Sequence, residues 1–133
     1  MKPVRKLRLD QLLIERGLAE SGEKARGPLA LSAGRGKGVA CASYDGRTPT
    51  AIVAEVAVDK TTGRVEVKRV VCAQDQGVTV NPDGSRQQME GSITMGLGYA
   101  LTEEVRFKDG EVLERNFDTY RIQRFSWLPK IET

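Results

Sequence analysis

Residues 70–101 read VVCAQDQGVTVNPDGSRQQMEGSITMGLGYAL, and this stretch decides how the rest of the chain is interpreted. Its pattern predicts a strand end, a polar loop and then a helix from Ser85 to about Glu103, capped by Asp83 or Ser85. The helix contains Gly91, Gly96 and Gly98, although each glycine costs about 1 kcal/mol relative to alanine. Two explanations stay open: tight packing of the helix on a sheet, and the close approach of a ligand.

Apolar residues on both sides of this stretch predict a sheet. A strand starting near Thr50 turns at residues 59–63, where Gly63 is expected to have a positive φ, and returns through residues 65–71. Lys68-Arg69 interrupts the alternation of the return strand, which indicates a bulge. In the predicted helix, apolar residues spaced by four form the expected buried stripe: Met89, Ile93, Leu97 and Leu101. Asp109-Gly110 predicts a second hairpin, and the tail from Arg115 is expected to be extended, with residues 126–129 as an edge or docking segment.

We therefore predict an α+β fold with a short helical N-terminus and antiparallel β-hairpins packed on one Gly-rich helix. Three parts are expected: a helical stub over residues 1–33, a Gly-rich linker over 34–49, and a β-rich domain over 50–133. The linker is inferred from Gly34, Gly36 and Gly38, which alternate with basic residues. Their spacing does not match a nucleotide-binding glycine loop.

Composition excludes several kinds of site. The 133 residues suffice for one domain of ordinary size and contain no histidine, which excludes a histidine base and the common zinc sites. Cys41 and Cys72 are too few to hold an iron–sulfur cluster. They could form one disulfide, but buried free thiols are expected in a chain with no secretory signal. No signal peptide and no apolar span of about 20 residues are recognisable, so we expect a cytoplasmic protein without a membrane span.

The N-terminal charge favours an anionic partner. Residues 1–40 carry nine Lys or Arg against four Asp or Glu, which suits RNA or a plain solvated terminus. Residues 8–21, RLDQLLIERGLAES, resemble the start of an S4 RNA-binding domain. The resemblance implies an RNA-binding module, but Gly22 replaces the usual arginine and Gly27-Pro28 cuts the second helix. A single amphipathic helix packed on its neighbour is the alternative.

A second resemblance runs over about residues 34–133. Its strings are GRGKGVA (34–40), VAEV (53–56), GRVEV (63–67), VCAQD (71–75), NP (81–82), QMEG (88–91) and NFDTY (116–120). In order and spacing they resemble the molybdopterin-binding large subunit of the molybdenum hydroxylases, the xanthine dehydrogenase and aldehyde oxidase family, and in particular its isoquinoline 1-oxidoreductase type. The resemblance implies an oxidoreductase that hydroxylates N-heterocycles or aldehydes with a molybdopterin cofactor and passes electrons to an iron–sulfur subunit or domain.

The resemblance also implies site residues. Gln88, in the QxEG string with Gly91, corresponds to the glutamine that contacts the pterin in that family. Its amide can donate and accept, and helix N-terminal N–H groups would favour a phosphate; an exposed helix glutamine beside Gln87 is the alternative. Glu90 is not assigned as the catalytic base.

No catalytic or metal-ligating residue is assigned, because the family's base lies in a GxGE string downstream of the equivalent of residues 131–133. We expect the chain alone to supply a partial cofactor site and not to catalyse hydroxylation. A non-catalytic interaction protein, self-associating through a sheet edge, is a further alternative.

Overall fold

The computed structural model describes residues 34–44 and 46–133. Their elements, in chain order, are β1 (Arg35–Tyr44), β2 (Thr48–Val58), β3 (Val65–Gln74), α1 (Pro82–Leu101), β4 (Phe107–Lys108), β5 (Glu111–Val112), a 3-10 helix (Phe125–Trp127) and β6 (Lys130–Glu132). The α+β prediction is confirmed. The predicted N-terminal helices and the S4-like segment lie outside the described residues.

The described residues form two compact units, one comprising those up to Val80 together with Lys130–Thr133 and the other Asn81–Pro129. The described part of the first unit holds a four-stranded sheet in the order β1-β2-β3-β6. The first three strands are antiparallel neighbours, of which only the pairing of β2 with β3 was predicted, whereas β6 pairs in parallel with β3. The parallel strand was not expected from the sequence.

The β2–β3 pair follows its alternating apolar pattern and contains the predicted bulge. Glu55 faces Arg69 and Val56 faces Val67, so Lys68 is the extra residue. Val70 and Val71 are 1% and 4% exposed. Because successive side chains of a strand point to opposite faces, both faces of β3 are covered at this position.

The turn between β2 and β3 is held by Asp59. Its Oδ1 accepts hydrogen bonds from the backbone N–H groups of Thr61 and Thr62 at 2.8 and 3.1 Å. These bonds stabilise the carboxylate and lower the pKa of Asp59. Gly63 has φ 72°, which confirms the predicted positive φ.

The prediction of a linker over residues 34–49 is wrong, because β1 occupies Arg35–Tyr44 and β2 begins at Thr48. All ten residues of β1 pair with β2, so the ladder supplied by a neighbouring strand outweighs the weak strand propensity of glycine. Cys41 lies on this strand and is exposed, whereas Cys72 is buried. The expectation of buried thiols is therefore correct for Cys72 and wrong for Cys41.

Alternating charges cross the four strands in one row. Lys37 of β1 contacts Glu55 of β2 at 2.9 Å, and Glu55 lies 3.6 Å from Arg69 of β3. Arg69 donates two hydrogen bonds to Glu132 of β6, at 2.9 and 2.8 Å. Lys130 contacts Glu132 at 2.9 Å. This row fixes the register of the three-residue strand β6, since paired opposite charges oppose any slip.

In the second unit, β4 and β5 form the predicted Asp109-Gly110 hairpin with strands of two residues each. Both turn residues have positive φ, 53° and 83°, as a two-residue type I′ turn requires. Glu114 closes the base of the hairpin: its carboxylate accepts from the backbone N–H and from Nε of Arg106, both at 2.6 Å.

The tail is not wholly extended. A 3-10 helix occupies Phe125–Trp127, within the segment predicted as an edge or docking strand. The Arg124 guanidinium lies 5.6 Å from the centroid of the Trp127 ring, which is within cation–π range. This contact and the backbone bond from Trp127 N–H to the Arg124 carbonyl, at 2.9 Å, turn the chain before it enters β6.

Candidate cofactor-binding helix

Helix α1 starts earlier than predicted because Asn81-Pro82 forms its first turn. The Asn81 side chain caps the helix by accepting from the Gly84 N–H at 2.9 Å. Pro82 at the first helical position has no N–H to leave unpaired. A Cβ on Gly84 would lie 3.1 Å from Nδ2 of Asn81, so a glycine at this position leaves room for the capping side chain. The predicted caps, Asp83 and Ser85, are corrected to Asn81.

This start changes the environment of Gln88. Gln88 is six residues beyond Pro82, and only the first four N–H groups of a helix lack an intrahelical acceptor. The placement of Gln88 at the helix start is therefore wrong, and a contribution of the free N–H groups to a phosphate site stays a prediction. Asp83 in the first turn already supplies a negative charge to the positive end of the helix dipole.

The Gln88 side chain is exposed, and its amide has no hydrogen-bond partner among residues 34–44 and 46–133. Its backbone carbonyl accepts from Oγ of Ser92 at 2.8 Å. The side chain can therefore offer both a donor and an acceptor to a ligand. The geometry is equally that of an exposed helix glutamine, so the cofactor role of Gln88 stays a prediction.

One side of α1 is exposed over almost three turns. Its members recur at helical spacing and carry no charge: Gln88, Gly91, Ser92, Met95, Gly96 and Tyr99. We call this set the uncharged helix face. Met95 and Tyr99 are 57% and 62% exposed. A Cβ added to Gly91 or Gly96 would meet nothing within 4 Å in the described chain, so packing within that part of the chain does not explain these two glycines.

The opposite side of α1 is the covered one, as its apolar spacing predicted. Ile93 is buried and Met89 and Leu97 are half-buried. Leu101 is 42% exposed, so the predicted buried stripe ends one turn early. Glu90, which was not assigned as a base, lies 3.9 Å from Nε of Arg86, in the ordinary setting of a helix-surface charge.

Gly98 differs from the other two helix glycines because it is buried and has another side chain against it. A Cβ there would collide with the Glu103 carboxylate and lie 3.6 Å from Cβ of Gln123. Glu103 also accepts a 2.5 Å hydrogen bond from the Tyr120 hydroxyl. This bond raises the pKa of Tyr120, since the carboxylate favours the protonated phenol.

Glu103 therefore ties the chain after β5 to the end of α1. No local sequence pattern indicates this contact, because the partner, Tyr120, is 17 residues away. In the same region, Nε2 of Gln123 donates to the Trp127 carbonyl at 3.3 Å. Oε1 of Gln123 is buried without a partner among the described residues.

The described residues contain no group of three or more His, Cys, Asp or Glu side chains that could hold a metal ion. No helix in the described part of the chain is long and apolar enough to cross a membrane. The site that these residues can offer is consequently an uncharged surface with one free amide and exposed helix backbone at two glycines. The residues of this surface offer donor and acceptor groups at one amide, and they include no charged side chain for a phosphate and no ligand set for a metal.

Comparison with known proteins shows the family of this chain. The family model of the molybdopterin cofactor-binding domain matches residues 12–129, and the chain belongs to this family. The match includes Gln88 and the whole uncharged helix face, and it starts within the S4-like segment.

Two curated relatives are named for N-heterocycles. The chain is 39% identical over 105 residues to a nicotinate dehydrogenase chain of Pseudomonas putida, with 74% of this chain and 9% of the relative covered. It is 34% identical over 118 residues to a chain of isoquinoline 1-oxidoreductase from Brevundimonas diminuta, with 89% and 15% covered. The chain thus spans less than a sixth of either relative.

The fold also matches a solved enzyme. Quinoline 2-oxidoreductase from Pseudomonas putida 86 aligns with a TM-score of 0.62 and 27% identity, covering 64% of this chain and 11% of that chain. The predicted resemblance to the molybdopterin-binding subunit of molybdenum hydroxylases is confirmed. The described residues form part of that domain, and molybdopterin is the cofactor of the family to which they belong.

Proposed function

We propose that this chain supplies one wall of the molybdopterin site of an oxidoreductase that hydroxylates N-heterocycles or aldehydes. The observation that carries the proposal is the uncharged helix face, on which the free Gln88 amide lies one turn from the open position at Gly91. N-heterocycles are favoured as substrates, because nicotinate and isoquinoline occur in the names of the relatives covering most of this chain.

The residues of this face fit the pterin part of the cofactor. Gln88 would donate to and accept from the polar edge of the ring, and Gly91 would let the ring approach the helix backbone because no Cβ intervenes. The bound cofactor supplies the redox and oxygen-transfer chemistry. The protein's contribution here is binding and orientation, and we assign no catalytic base or metal ligand to residues 34–44 and 46–133.

Partners follow from the same proposal. The nicotinate dehydrogenase relative and a probable xanthine dehydrogenase relative are each named as one component of a larger enzyme, which supports assembly with other chains. We propose an iron–sulfur subunit as the electron acceptor and self-association as a second mode of assembly. A cytoplasmic location stays a prediction from the sequence.

The alternative of an RNA-binding module depends on the basic S4-like residues. These lie outside the described residues, and the family match from residue 12 onward does not support this alternative. We keep the cofactor site as the proposed function.

The test is a titration of the isotope-labelled chain with a soluble pterin, in which NMR records the backbone amide chemical shifts. A ring of roughly a dozen heavy atoms at about 0.3 kcal/mol per atom gives about 4 kcal/mol, a millimolar dissociation constant. We expect shifts centred on Gln88 and Gly91, and their loss in Gln88→Ala. Gln87→Ala is the matched control and should keep them.

Two results would refute this proposal. One is a spectrum without shifts at millimolar pterin. The other is a response that Gln88→Ala leaves unchanged, because the free amide would then not take part. Metal analysis complements the titration: one helix face cannot enclose a cofactor, so chain purified from a cofactor-producing host should hold far less than one molybdenum per chain.

A further inference from the structure

The strand β1 forms an open edge of the four-stranded sheet. It is the first strand in the order β1-β2-β3-β6, and nine of its ten residues are exposed. Its pairing with β2 continues through all ten positions without a register shift. No other strand of the described residues pairs with its outer side. An edge of this length is a template for another strand.

Two hydrogen bonds show which residues of β1 direct their backbone N–H and C=O groups away from β2. Val58 donates to the Gly34 carbonyl at 2.7 Å, so residue 34 and, by alternation, the even residues bond toward β2. Asp75 donates to the Pro49 carbonyl at 3.0 Å, so residue 49 and the odd residues of β2 bond toward β3. The two observations agree, because Ser43 is the partner of Pro49. Since Pro49 bonds toward β3, Ser43 and the other odd residues of β1 do not bond toward β2. The backbone groups that point outward therefore belong to Arg35, Lys37, Val39, Cys41 and Ser43.

The devices that usually block a sheet edge are missing from β1. The strand contains no proline, and its pairing with β2 contains no bulge. Lys37 is the residue type that commonly guards an edge, but its ammonium contacts Glu55 at 2.9 Å on the neighbouring strand. Its charge is thereby drawn toward β2 and away from the open side.

We propose that this edge pairs with β1 of a second copy of the chain, antiparallel and centred on Val39. The five outward residues are symmetric about Val39, so this register pairs every one of them and forms about ten hydrogen bonds across the twofold axis. Val39 faces Val39 of the second copy, Lys37 faces Cys41, and Arg35 faces Ser43. The interface joins two four-stranded sheets into one of eight strands.

The charges of β1 select this arrangement. Arg35 and Lys37 lie at one end of the strand. An antiparallel pair places each of them opposite a neutral residue, whereas a parallel pair in register would set each against its own copy, which is unfavourable. The antiparallel direction is therefore favoured over the parallel pair in register.

The other face of β1 supports the same register. The even residues from 36 to 42 are small, namely Gly36, Gly38, Ala40 and Ala42, and the large Tyr44 lies at the end of the strand. In the dimer they fall at the non-hydrogen-bonded positions, where Gly38 faces Ala40 and Gly36 faces Ala42. Strands approach to about 4.5 Å between Cα atoms at such positions, and small side chains accept this distance without a clash.

The first experiment measures the mass of the full chain by sedimentation from about 10 µM to about 1 mM. We expect a concentration-dependent dimer. Val39→Pro should abolish it, since proline removes an outward donor while the N–H groups that bond to β2 stay in place. Val39→Thr is the matched control and should still dimerise, because its backbone and β-branched shape are retained.

The second experiment tests the register by cross-linking. Val39→Cys in a Cys41→Ser background places two thiols on residues that face each other at about 5.5 Å between Cα atoms, a distance suitable for a disulfide. Mild oxidation should give a covalent dimer. The unmodified chain, in which Cys41 faces Lys37, should give little.

A monomer at every concentration would overturn the proposal, and would mean that the edge is covered within the chain or reserved for a different segment. A dimer that persists in Val39→Pro would overturn it as well. The proposal does not depend on the cofactor site, because β1 and the uncharged helix face belong to different units.

Discussion

The buried position of Val70 in the middle of β3 gives a quantitative test of the fold. Val70 is 1% exposed and lies in register between Ala54 of β2 and Ile131 of β6. Val70→Ala removes two carbon groups. At about 0.8 kcal/mol each, the lost transfer energy is about 1.6 kcal/mol, and the cavity left behind raises the total to roughly 2–3 kcal/mol.

Val65 provides the matched control within the same strand. It is 43% exposed, so Val65→Ala loses only part of the transfer energy and leaves no closed cavity. We expect a cost of roughly 0.5–1 kcal/mol. The difference in strand propensity between valine and alanine is common to both variants, so the gap of roughly 1.5 kcal/mol reports burial alone.

The assay is urea unfolding of the full chain, followed by circular dichroism. With a slope of about 1.5 kcal/mol per molar urea, the gap places the midpoint of Val70→Ala about 1 M below that of Val65→Ala. The slope should be the same for both variants. Equal midpoints, or a lower midpoint for Val65→Ala, would show that the centre of β3 is not the buried core of this unit.

Two further predictions concern the helix glycines and the charge row. Gly91→Ala should raise the free energy of unfolding by about 0.5–1 kcal/mol, because alanine favours the helix and the position is open. Gly98→Ala should give no such gain in the same urea assay, since its Cβ would collide with the Glu103 carboxylate. Equal gains in the two variants would contradict this packing. Arg69 and Lys130 lower the pKa of Glu132 to about 2. The ionised Glu132 therefore adds to the free energy of unfolding above its unfolded pKa of about 4.5, and this stabilisation is lost as the pH falls toward 2. The melting temperature should therefore fall less steeply between pH 4.5 and 2 in Glu132→Gln than in the unmodified chain, and parallel curves would exclude a stabilising role for the ion pair.

Local features of the fold were predictable because their causes lie within a few residues. Asp109-Gly110 specifies its own turn, since both residues tolerate positive φ. The bulge at Lys68 follows from two charged residues that interrupt an apolar alternation. Asp59 and Gly63 likewise fix a turn by bonds that span at most four residues.

The errors concern elements that depend on distant partners. The strand β1 is rich in glycine and resembles a linker, and only its ten-residue ladder with β2 makes it a strand. The strand β6 has three residues, and its hydrogen bonds from Arg69 to Glu132 span 63 positions. No local sequence pattern predicts the pairing of β6 with β3. The helix start was misplaced for a smaller reason, because Asn81 and Asp83 are both good caps and Pro82 decides between them.

The site was predictable only through resemblance. The residues of QMEG establish by themselves that an amide and a glycine share one side of a helix; the family pattern links that side to a pterin. The structure corrects the physical part of the argument, because Gln88 lies almost two turns beyond the helix N-terminus and not at it. It also adds Met95 and Tyr99 to the exposed face.

The three helix glycines have different causes, and this difference bears on function. Gly98 is explained by the Glu103 carboxylate, which occupies the space of a Cβ. Gly91 and Gly96 have no such neighbour in the described chain, yet together they cost about 2 kcal/mol of helix stability relative to alanine. A cost without a compensating contact in the folded chain is typical of a binding surface, where stability is given up for the approach of a partner. The position of both glycines on the same face as the Gln88 amide therefore supports our proposal that the molybdopterin ring is that partner. If Gly91→Ala stabilised the chain and left the pterin-induced shifts intact, the glycine would have no binding role, and the free amide of Gln88 would be the only remaining reason to place the ring on this helix.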